Sequence, residues 1–89
     1  MSSTALIKVN LRFFASLRER LGTAEVLELP AGTTVGQLRE LLQSRSADHA
    51  ELLARGRAVR SALNQQLCKE DAVLSDGAEV AFFPPVTGG

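Results

Sequence analysis

Cysteine and histidine each occur once in this 89-residue chain, and tryptophan and tyrosine do not occur at all. A single cysteine, Cys68, excludes an internal disulfide framework and suits a reducing compartment. It falls in a half-apolar strand with no histidine nearby in sequence, so it reads as a small buried or half-buried residue rather than a nucleophile. His49 stands alone in the first turn of an expected helix and reads as a solvated surface side chain, not as a general base or a ligand. There is no metal-ligand spacing, no phosphate-binding loop and no carboxylate pair. Conventional catalysis therefore has no visible machinery. Nor is there an excess of charge, since ten basic residues balance ten acidic ones. No net field draws the chain to nucleic acid or to an anionic membrane. No run approaches the ~20 apolar residues of a membrane span, and Lys8 and Asn10 interrupt the opening apolar stretch too early for a signal peptide. The expectation is a soluble cytoplasmic protein.

What is present is apolar material, 45% of residues. That is enough for one core in a single domain spanning 1–89, which should bury ~60–65% of its unfolded surface. Ile7, Val9, Leu11 and Phe13 alternate with Lys8, Asn10 and Arg12, the period-2 pattern of a strand with one buried face. Leu17 and Leu21 are then four apart, with Gly22 in position to cap a short helix. Leu27 and Leu29 share a face of a second strand that Pro30 ends. Thr34 and Gln37 have capping-box spacing before an apolar stripe of Val35, Leu38, Leu41 and Leu42, which makes this the main helix. Asp48 and Glu51 repeat that spacing before a shorter helix that Gly56 should stop. Arg18, Glu19 and Arg20, like Arg39 and Glu40, fall on polar helix faces and are expected to be solvated.

From Arg57 onward the pattern is strands again. Two short ones flank Asn64 and Gln65 as a hairpin, Asp76-Gly77 is a turn, and EVAFF is a closing strand. Two groups of strands around one principal helix point to an α+β domain, with the helix laid across a mixed sheet. In the closing strand Val80 and Phe82 share one face and Ala81 and Phe83 the other, so both phenylalanines cannot face the core. Phe13 and Phe14 pose the same conflict.

The chain then reads PPVTGG. Pro84 and Pro85 lack an N–H, stop sheet pairing and stiffen the exit. Val86, Thr87, Gly88 and Gly89 reach at most ~13–14 Å beyond. The glycines form a thread without Cβ atoms that can enter a narrow channel. The reactive group at its end is the Gly89 α-carboxylate, ionised and inert at neutral pH until another protein activates it.

Here the resemblance becomes specific. FFPPVTGG resembles the C-terminus of the ubiquitin-like sulfur carriers that form the small subunit of molybdopterin synthase. RFFASLRERLG, TTVGQLRELL, SALNQQL and LSDGAEVAFFPPVTGG extend the likeness over nearly the whole chain. The resemblance implies a β-grasp fold and a functional tail over 84–89. It implies that an ATP-dependent adenylating enzyme, related to those that charge ubiquitin, activates Gly89. A sulfur donor protein then converts Gly89 to a thiocarboxylate. Pro84, Pro85, Val86, Thr87 and Gly88 would insert into the large synthase subunit, which holds the catalytic groups. Sulfur would pass there to a cyclic pyranopterin precursor in molybdenum cofactor biosynthesis. The carrier would bind no cofactor or metal and would be no enzyme by itself. Phe14, Leu67 and Phe83 match positions of the family's exposed hydrophobic patch, which implies partner binding. Alternatives are a thiamine-type sulfur carrier, a ubiquitin-like protein modifier, for which only Lys8 and Lys69 could extend chains, and a plain interaction domain.

Overall fold

The computed structural model describes residues 5–54 and 56–84. Alternation makes β1 (Leu6–Phe13), whose odd-numbered residues are buried and whose even-numbered ones are exposed. A turn through Ala15 leads into α1 (Ser16–Leu21), capped by Gly22 with its N–H on the Arg18 carbonyl. The chain returns as β2 (Ala24–Pro30), antiparallel to β1, with Leu27 opposite Val9 and Leu29 opposite Ile7. The capping box opening α2 (Val35–Gln43) is complete: Thr34 Oγ1 accepts the Gln37 N–H at 3.1 Å, and Gln37 Oε1 accepts the Thr34 N–H at 3.0 Å.

After α3 (Ala47–Leu52), strands β3 (Arg60–Leu63) and β4 (Gln66–Cys68) form the expected hairpin. Asn64 and Gln65 both take positive φ, 52° and 70°, the conformation of a type I′ turn. The Asn64 side chain also accepts the Glu79 N–H at 3.0 Å. The closing strand β5 (Glu79–Phe83) runs parallel to β1 and antiparallel to β3, giving the sheet order β2-β1-β5-β3-β4. The last strand in sequence is thus the central one. The Asp76-Gly77 turn is tied to β1, with Asp76 accepting the Lys8 N–H and Gly77 donating to the Lys8 carbonyl. One face of the mixed sheet, carrying Val9, Leu11, Phe13, Val80 and Phe82, shares a single buried core with Val35, Leu38 and Leu42 of α2. This is the helix-across-sheet arrangement expected above.

Four expectations need correction. The buried stripe of α2 is Val35, Leu38, Arg39 and Leu42, the true i, i+3, i+4, i+7 set, while Leu41 is 52% exposed. Arg39, expected in solvent, is 6% exposed and fully engaged. Its Nε donates to the Leu53 carbonyl (2.7 Å), one terminal nitrogen to those of Ala54 (2.6 Å) and Arg57 (3.0 Å), and the other to Glu70 (2.6 Å). A guanidinium is buried only where its fork of donors finds acceptors, and the chain leaving α3 supplies them.

The cap of α3 is Ser46 rather than Asp48. Its hydroxyl accepts the His49 N–H at 3.2 Å, and the Asp48 carboxylate binds Arg20 instead. The helix ends at Leu52, ahead of Gly56. Finally, His49 is only partly in solvent. Its ring stands edge-on to Phe13 with centroids 6.2 Å apart, Nδ1 meets the Ser46 hydroxyl at 2.8 Å, and Nε2 is buried without a partner.

Candidate functional site

Among the described residues no helix lies on the second face of the sheet, and the strand register fixes what it displays. One row crosses four strands as Arg12, Ala81, Ala62 and Leu67. Beside it, Phe83 lies opposite Arg60, and Phe14 continues the alternation of β1, its N–H on the Phe82 carbonyl. On the other flank Asn10 pairs with Glu79. The two alanines are 7% and 9% exposed despite facing outward, because the larger side chains around them shield them. They floor a groove of about 470 Å³ walled by Phe14, Leu67, Phe83, Arg12, Gln65 and Glu79. Arg12 spans the wall, its guanidinium 5.4 Å from the centre of the Phe14 ring and 3.8 Å from Glu79.

The structure therefore brings Phe14, Leu67 and Phe83 together on one apolar surface. Leu67 is 69% exposed, Phe14 37% and Phe83 half-buried, while Phe13 and Phe82, the chain neighbours of the two phenylalanines, are buried and stack at 6.2 Å. Sequence reading did not single out the alanine floor or the polar wall. Alternation alone puts Ala81 with Phe83 and Arg12 with Phe14. Joining the two sets requires the parallel β1–β5 pairing, for which the sequence carries no local signal.

Pro84 leaves this face. It lines a smaller groove of about 250 Å³ together with Ser16, Leu17, Leu52, Arg57, Ala58 and Val59. The remaining tail positions, Pro85, Val86, Thr87, Gly88 and Gly89, lie outside the described residues.

Charges near α1 and α3 are organised but peripheral. Hydrogen bonding and attraction from Asp48 raise the pKa of Arg20, and a hydrogen bond from Glu25 raises that of Arg45. His49 is shifted down, first by burial and then by the Arg45 charge, with Glu25 and Asp48 opposing. Cys68 is half-buried against the core, with its thiol 3.7 Å from the Ser61 hydroxyl. Among the described residues no helix is long and apolar enough to cross a membrane.

With this geometry in hand, comparison with known proteins is decisive: the profile of the ThiS family matches residues 11–89. The chain belongs to the ThiS family. Within it, the chain is 44% identical over 82 residues to the molybdopterin synthase sulfur carrier subunit of Escherichia coli (strain K12), covering 91% of this chain and 99% of that one. Among solved structures this ThiS-family chain superimposes on the HVO 2177 protein of Haloferax volcanii with a TM-score of 0.83, at 28% identity over 100% of this chain and 92% of that one. It also matches a chain from the complex of subunits 1 and 2 of the molybdopterin-converting factor of Helicobacter pylori 26695. There the TM-score is 0.62 and the identity 30%, over 93% and 100% of the two chains. A likeness to the ubiquitin of Caldiarchaeum subterraneum, TM-score 0.61 at 16% identity over 96% of this chain and 100% of that one, bears on the fold, which is ubiquitin-like β-grasp.

Proposed function

We propose that this chain is the sulfur carrier subunit of molybdopterin synthase, charged at the Gly89 carboxylate. The observation that carries the reading is the 44% identity to a protein of that name over 99% of that protein's length. The fold supports it. β5, held between β1 and β3, ends on the apolar face at Phe83, so that a partner seated on Phe14, Leu67 and Phe83 lies next to the root of the tail. In the Helicobacter pylori protein the equivalent subunit is found in complex with subunit 2. We assign the corresponding partner here to the large synthase subunit.

The chemistry is nucleophilic substitution at an activated acyl carbon. An adenylating enzyme joins a Gly89 carboxylate oxygen to the α-phosphorus of ATP, releasing pyrophosphate. A sulfur donor protein then delivers a sulfide equivalent, whose sulfur forms a C–S bond to the same carbon as the C–O bond to AMP breaks, leaving a thiocarboxylate. In the large subunit its sulfur forms a C–S bond to a carbon of the pyranopterin precursor as an oxygen substituent leaves that carbon, and water cleaves the remaining acyl–sulfur bond to return the carboxylate. A dithiolene needs two such transfers. The carrier holds no cofactor of its own, and acid–base groups and substrate contacts belong to the large subunit. The work is that of a cytoplasmic carrier.

Intact-mass measurement after incubation with ATP, the adenylating enzyme and a sulfur source tests this. Sulfur replacing one oxygen at Gly89, followed by pterin conversion with the large subunit, is expected. Charging without pterin conversion would indicate a thiamine-type carrier, and attachment to a lysine a protein modifier. Because the transferred sulfur sits on the terminal carbonyl, Cys68→Ser should convert pterin at the wild-type rate.

A further inference from the structure

The apolar face is bordered by two arginines that its hydrophobic residues do not require. Arg12 stands on β1 and Arg60 on β3, two strands apart and one row apart along them. Strand spacing puts their backbones roughly 12 Å from each other, with Ala81 and Phe83 of β5 between them. Glu79 is the carboxylate that answers Arg12, at 3.8 Å and through one nitrogen, which leaves most of that guanidinium's donors unused. Arg60 is exposed and has no carboxylate partner among the described residues. Arg12 thus lines the groove with Glu79, and Arg60 adds a second cation beside Phe83 at its edge, in a chain whose total charge is zero. Among the other described arginines, Arg20 pairs with Asp48 and Glu51, Arg45 with Glu25, Arg57 with Glu51 and Arg39 with Glu70, while Arg18 on α1 also has no carboxylate partner.

From this geometry we infer that Arg12 and Arg60 select the docking partner by charge. The surface they fit presents two carboxylates on either side of an apolar side chain that fills the alanine floor. This rests on the reading that the large synthase subunit docks on this face, and it names the chemistry of that subunit's contact rim. Arg12 would keep its place over the Phe14 ring and trade part of its Glu79 contact for a partner carboxylate. Arg60 would gain the carboxylate partner that the described residues do not give it. Charges at such a rim act mainly on association rate and on salt dependence, whereas buried anchors set dissociation.

Association with the purified large subunit, measured by stopped-flow at low and high ionic strength, separates these effects. Arg12→Ala and Arg60→Ala are each expected to slow association about two- to fivefold at low salt. Arg60→Glu should slow it by on the order of tenfold or more, with the difference shrinking as salt is added. Dissociation should change little. Thermal melts matching wild type confirm that these exposed substitutions leave the fold intact. Phe83→Ala is the control for the docking face itself, expected to raise dissociation roughly thirtyfold. If Phe83→Ala weakens binding while the arginine variants associate at wild-type rates with an unchanged salt slope, the charge selection is wrong and the docking face stands. If Phe83→Ala binds normally, the docking face is wrong and the inference falls with it.

Discussion

Removing the Arg39 guanidinium would orphan the Leu53 carbonyl, leave those of Ala54 and Arg57 with only the backbone N–H groups of Arg57 and Val59, and break the ion pair to Glu70. The Leu53 carbonyl dominates the cost, because that residue is fully buried, whereas the Glu70 side chain is 40% exposed and its ion pair is screened by water. Arg39→Ala should lose about 2–4 kcal/mol in urea unfolding. Glu70→Gln should lose under about 1 kcal/mol. Nothing local marks Arg39 as buried: its acceptors are backbone atoms 14 to 18 residues further along, and beside Glu40 it has the look of a solvated pair. His49 misled for the same reason. Its surroundings are the Phe13 ring and a serine cap, which one strand and one loop bring together. Burial lowers its pKa, so the unfolded chain takes up a proton near the ordinary value of about 6.5 while the native chain resists. Its contribution to stability is therefore complete above pH ~6.5 and falls as pH drops through the window below it. Thermal melts between pH 7.5 and 5 should show that decline, and His49→Gln should flatten it.

Among the elements, the turn from β1 to α1 holds Ala15 at φ 56°, ψ −133°, a conformation natural only to glycine. It reverses the chain immediately after Phe14 reaches the open face. Ala15→Gly should relieve strain of about 1–2 kcal/mol. The added freedom of the unfolded chain returns about 0.4–1 kcal/mol of that. A net gain of a few tenths to about 1 kcal/mol in denaturant unfolding is expected, with unchanged binding at the Phe14 face. The elements themselves were largely legible. β1 and α2 declare themselves by period and by the Thr34–Gln37 box, since both signals lie within a few consecutive residues. The start of α3 was placed two residues late because Asp48 has the right chemistry for a cap but is occupied by Arg20. Ala15 gave no sign of its conformation, because alanine is not a residue that selects it.

For the molecule as a whole, the tail and the domain should respond independently. One alanine added after Gly89 moves the carboxylate ~3.5 Å outward and sets a Cβ beside it. A site that must hold reacting atoms ~3–3.5 Å apart cannot absorb that displacement. Thiocarboxylate formation and pterin conversion should both be abolished, and deletion of Gly89 should fail by falling short. Melting of both variants should stay within ~0.5 kcal/mol of wild type. Wild-type charging of the extended chain would remove Gly89 from the mechanism. At this scale the fold class followed from the order of strands and helices, and the apolar trio of Phe14, Leu67 and Phe83 from the family likeness. The strand order that unites them is a long-range property that no periodicity encodes.

That strand order has a consequence for how the protein comes into being. A ribosome delivers β1 and β2 first, then β3 and β4, and residues 79–83 after both. Until β5 arrives, the nascent chain holds two separate hairpins, which are marginal in water on their own. Synthesis must run almost to the tail before the sheet can close, and the pairing that closes it joins Asn10 to Glu79 across most of the chain. A chain cut short before β5 would present sticky half-sheets to chaperones and proteases rather than a smaller working domain. Completion of the sheet and presentation of the tail are thus one event.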